Sequence, residues 1–423
     1  MGASHGRFSA DRLPRPAVNS RLGGLALIGV ATLLAGACGY VVTWLVPRTV
    51  GFGDYSFFAV FWSLLFFIIA ALSGIQQEVT RASRISPATR PQSRPFRAAA
   101  LVAGALAILL AATSPAWSTP VFGEHPELAW PVVVGASGYI FVAVSYGFLY
   151  GVKAWRLLAS LMITEAVVRL IAVAVVLQIG GGILGAAWAS AAVIPLTVAV
   201  HALWIRRALP HPVLDVGLRQ IVLNVSRTIV AAASLGVMVS GLPFVMNLSS
   251  ASYSAVFGAL VVVVTFTRAP IVIVAMALQS YFIVIFRESV APIKAWLRLL
   301  ALIVGGGAVL TLLATLFGPA LFSLLFDQAV ELPRQVYTSM VLSSALIGAL
   351  TVTGTLLLSR RDHRGYSISW AVAAIATVAV FLIPMGIIES TIIATTVPPA
   401  LGICVQGTAL WTGRFRKEGG EFD

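Results

Sequence analysis

The apolar positions of this chain fall into twelve blocks of about 20 residues or more, the length a helix needs to cross the hydrocarbon of a bilayer. They lie at 24–46, 55–79, 98–117, 129–150, 158–178, 184–205, 221–243, 255–286, 299–317, 337–358, 367–388 and 391–412. A basic stretch with Arg7, Arg12, Arg15 and Arg21 precedes the first block, as in a signal peptide. That block is too long for one and eleven more follow, so it reads as a retained first helix.

The polar segments between blocks alternate in charge. Of the 28 Lys and Arg, all but five fall at the N-terminus, at 80–97, 153–156, 206–220, 287–298 and 360–364, and in the tail after Trp411. The segments of the opposite side hold only Arg48 and Arg334, and Arg169, Arg227 and Arg268 lie inside blocks. Cytoplasmic loops carry the excess of Lys and Arg, which places both termini in the cytoplasm and makes the number of spans even. Tryptophan prefers the headgroup level, and all the tryptophans but Trp62 sit near predicted span ends. The expectation is an all-α polytopic membrane protein, multi-pass in a cell membrane. Twelve transmembrane helices form two six-helix bundles related by a pseudo-two-fold axis.

Composition supports solvation by lipid. Hydrophobic residues make up 59% of the 423 and charged residues 10%, too little polar surface to cover a water-soluble fold. The net charge of +13 would suggest nucleic acid in a soluble protein. Here it follows from the basic cytoplasmic loops, and no nucleic-acid partner is implied. The 80–97 loop, with Pro87, Pro91, Pro95 and its arginines, reads as a topology determinant facing anionic lipid headgroups. Cys38 and Cys404 both fall in apolar runs, which leaves no disulfide framework or Cys-rich metal site.

A 6 + 6 repeat is visible. Tyr55-Ser56 opens the second block and Tyr253-Ser254 the eighth, each after a block with glycines in its middle (Gly36 and Gly39; Gly236 and Gly241). The division reads as a tail at 1–23, a first bundle at 24–205, a cytoplasmic linker at 206–220, a second bundle at 221–412 and a tail at 413–423.

Charge inside a span is costly and points to function. Glu165 and Arg169 share one helical face at i,i+4 spacing and can pair; they either hold helices together or line a substrate path. Arg227 lies about two turns into the seventh span and either snorkels to the surface or helps loading. Arg268 is deeper, two residues before Pro270, with no acid at i±3 or i±4. The balance of three arginines against one glutamate favours an anion, and the guanidinium shape suits phosphate oxygens. Pro243, Pro270 and Pro384 are expected to kink their helices. Gly180–Gly182 reads as a tight turn, and His201 as interfacial. No metal-ligand spacing, phosphate-binding glycine loop or nucleophile motif occurs, so neither an enzyme nor a cofactor is implied.

The stretch Gly39-Tyr40 through Pro47-Arg48, Gly51 and Tyr55 resembles the first-to-second-span segment of polysaccharide exporters of the multidrug/oligosaccharidyl-lipid/polysaccharide (MOP) superfamily. Glu165 to Arg169 with the following Gly180–Gly185, and Thr267-Arg268-Ala269-Pro270, resemble spans five to six and eight of that group. The two extra spans of the lipid II flippase branch are absent. The resemblance implies a Wzx-type flippase: two bundles rock about a central cavity and carry a polyprenyl-(pyro)phosphate-linked oligosaccharide to the outer leaflet. Its substrate-binding candidates are Arg268, Arg227, Arg169, Glu165 and Arg48. The implied partners are the lipid-linked oligosaccharide, membrane lipids, and glycosyltransferases or a polymerase of polysaccharide assembly. A multidrug antiporter of the same superfamily, and a membrane glycosyltransferase or noncatalytic partner of one, remain as alternatives.

Overall fold

The computed structural model describes residues 18–83, 95–209, 214, 218–250, 253–326, 330–360 and 362–418. Thirteen α-helices occur among them: α1 (Val18–Ala82), α2 (Pro95–Phe122), α3 (Ala129–Gly151), α4 (Trp155–Gln178), α5 (Gly182–Val200), α6 (Ala202–Ala208), α7 (Leu218–Val239), α8 (Leu242–Ser250), α9 (Ala255–Glu288), α10 (Pro292–Leu325), α11 (Arg334–Ser359), α12 (His363–Phe381) and α13 (Ile387–Glu418). A single 3-10 turn, Pro126–Leu128, precedes α3. Nine helices of the described residues are long and apolar enough to cross a membrane.

The first of these is far too long for one crossing. Sixty-five residues would run about 98 Å if straight. Gly51, at φ 83° and ψ 162°, breaks it into limbs at 18–50 and 52–82. That conformation is open essentially to glycine alone, and Pro47 has already removed one intrahelical donor beside it. The predicted outer loop between spans one and two is therefore a bend in a nearly continuous helix.

Most predicted spans lie wholly within one helix. Three differ. Span 184–205 is interrupted at His201, and span 221–243 at Ser240–Gly241, just before Pro243. Span 367–388 stops at Phe381, so Pro384 lies in the turn that follows rather than kinking a helix. The backbone of α9 is helical across Pro270, whose side chain is outside the described residues, and shows no break there. The long outer loop expected at 318–336 is shorter, because α10 continues through Pro319 to Leu325. Residues 84–94, most of the basic loop, lie outside the described residues. The expected turn at Gly180–Gly182 forms, with both terminal glycines at positive φ.

The helices pack in two lobes. In the first, the limbs of α1 pack on α3, α4 and α5, and α2 lies against α3. In the second, α9, α10 and α13 pack on α11, and α12 packs on α7 and α13. Burial follows the same order in each half. In the most apolar stretches of α2 and α10, the third predicted spans, 11% and 6% of residues are buried; in those of α3 and α11, the fourth, 89% and 78% are. The outer helices thus turn Leu101, Ile108 and Leu109, and Leu302, Leu312 and Phe317, outward, which is stable only against lipid. This is a multi-pass membrane protein.

Candidate functional site

Three polar arrangements stand out in this apolar frame. The first surrounds Glu165 and Arg169 on α4. They form the expected ion pair, and Tyr146 of α3 donates to the other carboxylate oxygen at 3.2 Å. The Arg169 guanidinium also lies 5.3 Å above the ring of Phe66, on the second limb of α1. The pair is mostly buried. It joins three elements of the first lobe and leaves the Arg169 Nε without a partner among the described residues.

The second is Arg268, about 20 Å along α9 from its start. Its side chain is 3% exposed, and none of its three guanidinium nitrogens has a hydrogen-bond partner among the described residues. The neighbouring Thr267 is fixed to α11 through its carbonyl, which accepts from Ser344 at 3.0 Å. One residue further, Phe266 meets the edge of Tyr40 from the first limb of α1, with centroids 5.7 Å apart. The Tyr40 hydroxyl is also buried without a partner among the described residues. Two orphaned buried donors therefore lie on helices of different lobes that touch each other. A buried guanidinium left without a partner costs several kcal/mol.

The third ties the lobes at the predicted outer face. The α10 helix ends at Leu325, leaving its carbonyl without an intrahelical donor. Trp44 and Arg48 of α1 both donate to it, at 3.3 and 3.4 Å, with the Arg48 guanidinium over the Trp44 ring. The carbonyl of Val121, in the last turn of α2, is met the same way from the other lobe. Asn247 of α8 donates to it at 2.9 Å, and the Tyr253 hydroxyl also donates to it. Each clasp thus pairs a carbonyl near the end of one helix with two side-chain donors from a distant part of the chain. Aromatic contacts reinforce both: Phe57 stacks on Tyr253 at 3.9 Å, and Phe52 on Phe322 at 5.6 Å. Beside the second clasp, His125 bonds Glu127 at 2.9 Å, and this hydrogen bond holds the Glu127 carboxyl below its usual range.

The candidates from sequence thus separate. Glu165 and Arg169 belong to the first-lobe cluster, Arg268 to the interior near the seam, and Arg48 to the outer clasp, where it is exposed. The side chain of Arg227 lies outside the described residues; its neighbour Thr228 donates to Glu78 of α1 at 3.5 Å. His201, at the end of α5, is buried, its ring nitrogens against Thr197 and Ser160.

No protein-family model matches the chain. The uncharacterized protein Rv1510 of Mycobacterium tuberculosis is 32% identical over 395 residues, covering 92% of this chain and 91% of that one. The chain belongs to the same family as this mycobacterial protein. A second relative, the uncharacterized protein Mb3654 of Mycobacterium bovis, is 29% identical over 404 residues and covers 92% of each chain. Among solved structures, an inward-facing multidrug resistance MATE family transporter of the MOP superfamily superposes with a TM-score of 0.67 at 16% identity, covering 94% of this chain and 99% of that one. The lipid II flippase MurJ, in an inward closed conformation, gives 0.66 at 13% identity, over 91% and 87%. The fold is that of the MOP superfamily.

In this MOP fold several site residues escape the sequence. Nothing in the chain marks Asn247 and Tyr253 as partners of Val121, because the acceptor is a backbone carbonyl more than 120 residues away. Tyr146 and Phe66 are ordinary core residues until α3 and α1 bring them to the Glu165–Arg169 pair. Tyr253 left a signal only as the Tyr-Ser marker of the repeat, and Trp62, beside Phe66, as the one tryptophan away from a span end.

Proposed function

We propose that this protein is a flippase for a polyprenyl-(pyro)phosphate-linked oligosaccharide, moving its head from the cytoplasmic to the outer leaflet by alternating access. One observation carries the reading: Arg268 is buried in the middle of α9, and none of its guanidinium nitrogens has a partner among the described residues. A phosphate oxygen pair is the ligand that a planar, two-pronged donor fits best. The orphaned Tyr40 hydroxyl adds a second donor on the adjacent lobe. In this reading the structure is the resting state. An anionic head entering between the lobes supplies the missing partner, and its binding energy offsets the loss of the outer clasps. The glycan head travels in a hydrated path while the polyprenyl tail stays in lipid, and the lobes rock about the seam.

Depletion in the producing bacterium tests this, with mass spectrometry of polyprenyl-linked intermediates and their leaflet. The reading predicts that complete lipid-linked glycan accumulates facing the cytoplasm. Intermediates lacking a sugar would point instead to a transferase, and drug sensitivity without accumulation to an antiporter.

A further inference from the structure

Trp62 is the anomaly that the transport reading leaves unused. It lies about 16 Å beyond the Gly51 bend, well inside the second predicted span. It is only half-buried, and its indole N–H has no partner among the described residues. The indole N–H is therefore an accessible donor rather than one sealed in the core. Trp62 is the middle of an aromatic run spaced by one helical turn. The ring of Phe58 lies 5.6 Å from it, and that of Phe66 4.6 Å on the other side. Phe66 is half-buried too and carries the Arg169 guanidinium over its face. The run therefore leads directly to the Glu165–Arg169–Tyr146 cluster.

The charges of this cluster cancel. Arg169 is matched by Glu165, so the site has no net attraction for a cation or an anion. It offers the half-buried rings of Trp62 and Phe66, backed by the buried Phe58, together with the accessible indole donor, the Arg169 Nε, which has no partner among the described residues, and the remaining lone pairs of the Glu165 carboxylate. A neutral polyhydroxyl ligand uses all of these. The C–H faces of a sugar ring are weakly positive and stack on the negative faces of aromatic rings, while its hydroxyls both donate and accept.

We propose that the Phe58–Trp62–Phe66 run and the Glu165–Arg169–Tyr146 cluster form a saccharide subsite in the first lobe, separate from the phosphate contact at Arg268. This inference rests on the flippase reading and names the part of the substrate that the first lobe holds.

The test uses the full-length protein in its own cells, with p-benzoylphenylalanine at Phe66 in one strain and at Phe266, beside Arg268, in another. After irradiation and purification, mild acid cleaves glycosyl-phosphate bonds in the adducts. The proposal expects the adduct at 66 to retain sugar and lose the lipid. It also expects Trp62→Ala to reduce that adduct about tenfold and Trp62→Phe to keep most of it, because stacking needs the ring. A polyprenyl-phosphate adduct at 266, with only phospholipid or nothing at 66, would overturn the saccharide subsite and leave the flippase reading intact. Absence of any polyprenyl-linked adduct at both positions would overturn the flippase reading itself.

Discussion

Removing both donors of the buried outer clasp should shift the protein toward an outward-open state. The perturbation is the double variant Asn247→Ala/Tyr253→Phe. Phenylalanine keeps the stack on Phe57 while deleting the hydroxyl, so the change falls on the Val121 carbonyl. Asn247 is 4% exposed, and the carbonyl, left without donors in the closed state, loses about 1–3 kcal/mol. On opening, water satisfies it. Clasp loss therefore favours the open state by about 5- to 150-fold. The matching variant Trp44→Phe/Arg48→Met touches an exposed guanidinium and long hydrogen bonds, and should shift the balance much less. Spin labels at Glu124 and Val256, exposed near the Val121 clasp, report the separation by pulsed electron resonance. A distance distribution unchanged by Asn247→Ala/Tyr253→Phe would refute the idea that the clasp holds the outer side shut.

Three further outcomes follow from the same geometry. Glu165→Gln and Arg169→Gln should each lower stability, by about 3–5 kcal/mol for a broken buried pair, and the double variant should recover much of it; thermal denaturation in detergent checks this. Gly51→Ala should destabilise by about 1–3 kcal/mol because its backbone angles suit glycine alone, whereas Gly53→Ala, with no heavy atom near the added carbon and no positive φ, should be close to neutral in the same assay. Cysteines at 120–127 should react with an impermeant maleimide from outside, and those at 85–95 and 208–216 should not; outside labelling at 85–95 would invert the orientation.

The legible part of this molecule was what the bilayer imposes. Helices must satisfy their own backbone in lipid, so long apolar runs had to be helices, and arginine placement marked the loops. Glu165 and Arg169 were readable because i,i+4 neighbours share a face whatever the tertiary fold. Helix ends were less legible where polar and apolar residues mix: α10 carries its apolar face past Pro319, and α12 stops short because 382–386 leaves the helix before Pro384. The clasps were invisible. Arg48 and Tyr253 drew notice in the chain for other reasons, and the acceptors are carbonyls freed only because α2 and α10 end where they do. Arg268 was conspicuous by its place in the span, but its lack of partners among the described residues depends on which helices close around it.

The central claim is that Arg268 is kept, at a cost to the resting state, to grip the phosphate of a lipid-linked glycan. The most direct test reconstitutes the wild type, Arg268→Met and Arg268→Lys in proteoliposomes. It measures both thermal stability and the movement of a fluorescent polyprenyl-diphosphate disaccharide between leaflets. The account predicts that Arg268→Met loses transport yet gains about 1–4 kcal/mol of stability, since an unpaired buried charge has been replaced by an apolar side chain of similar length. Arg268→Lys should keep part of the transport, with the charge but not the planar fork. Transport at the wild-type rate by a well-folded Arg268→Met variant would contradict the account.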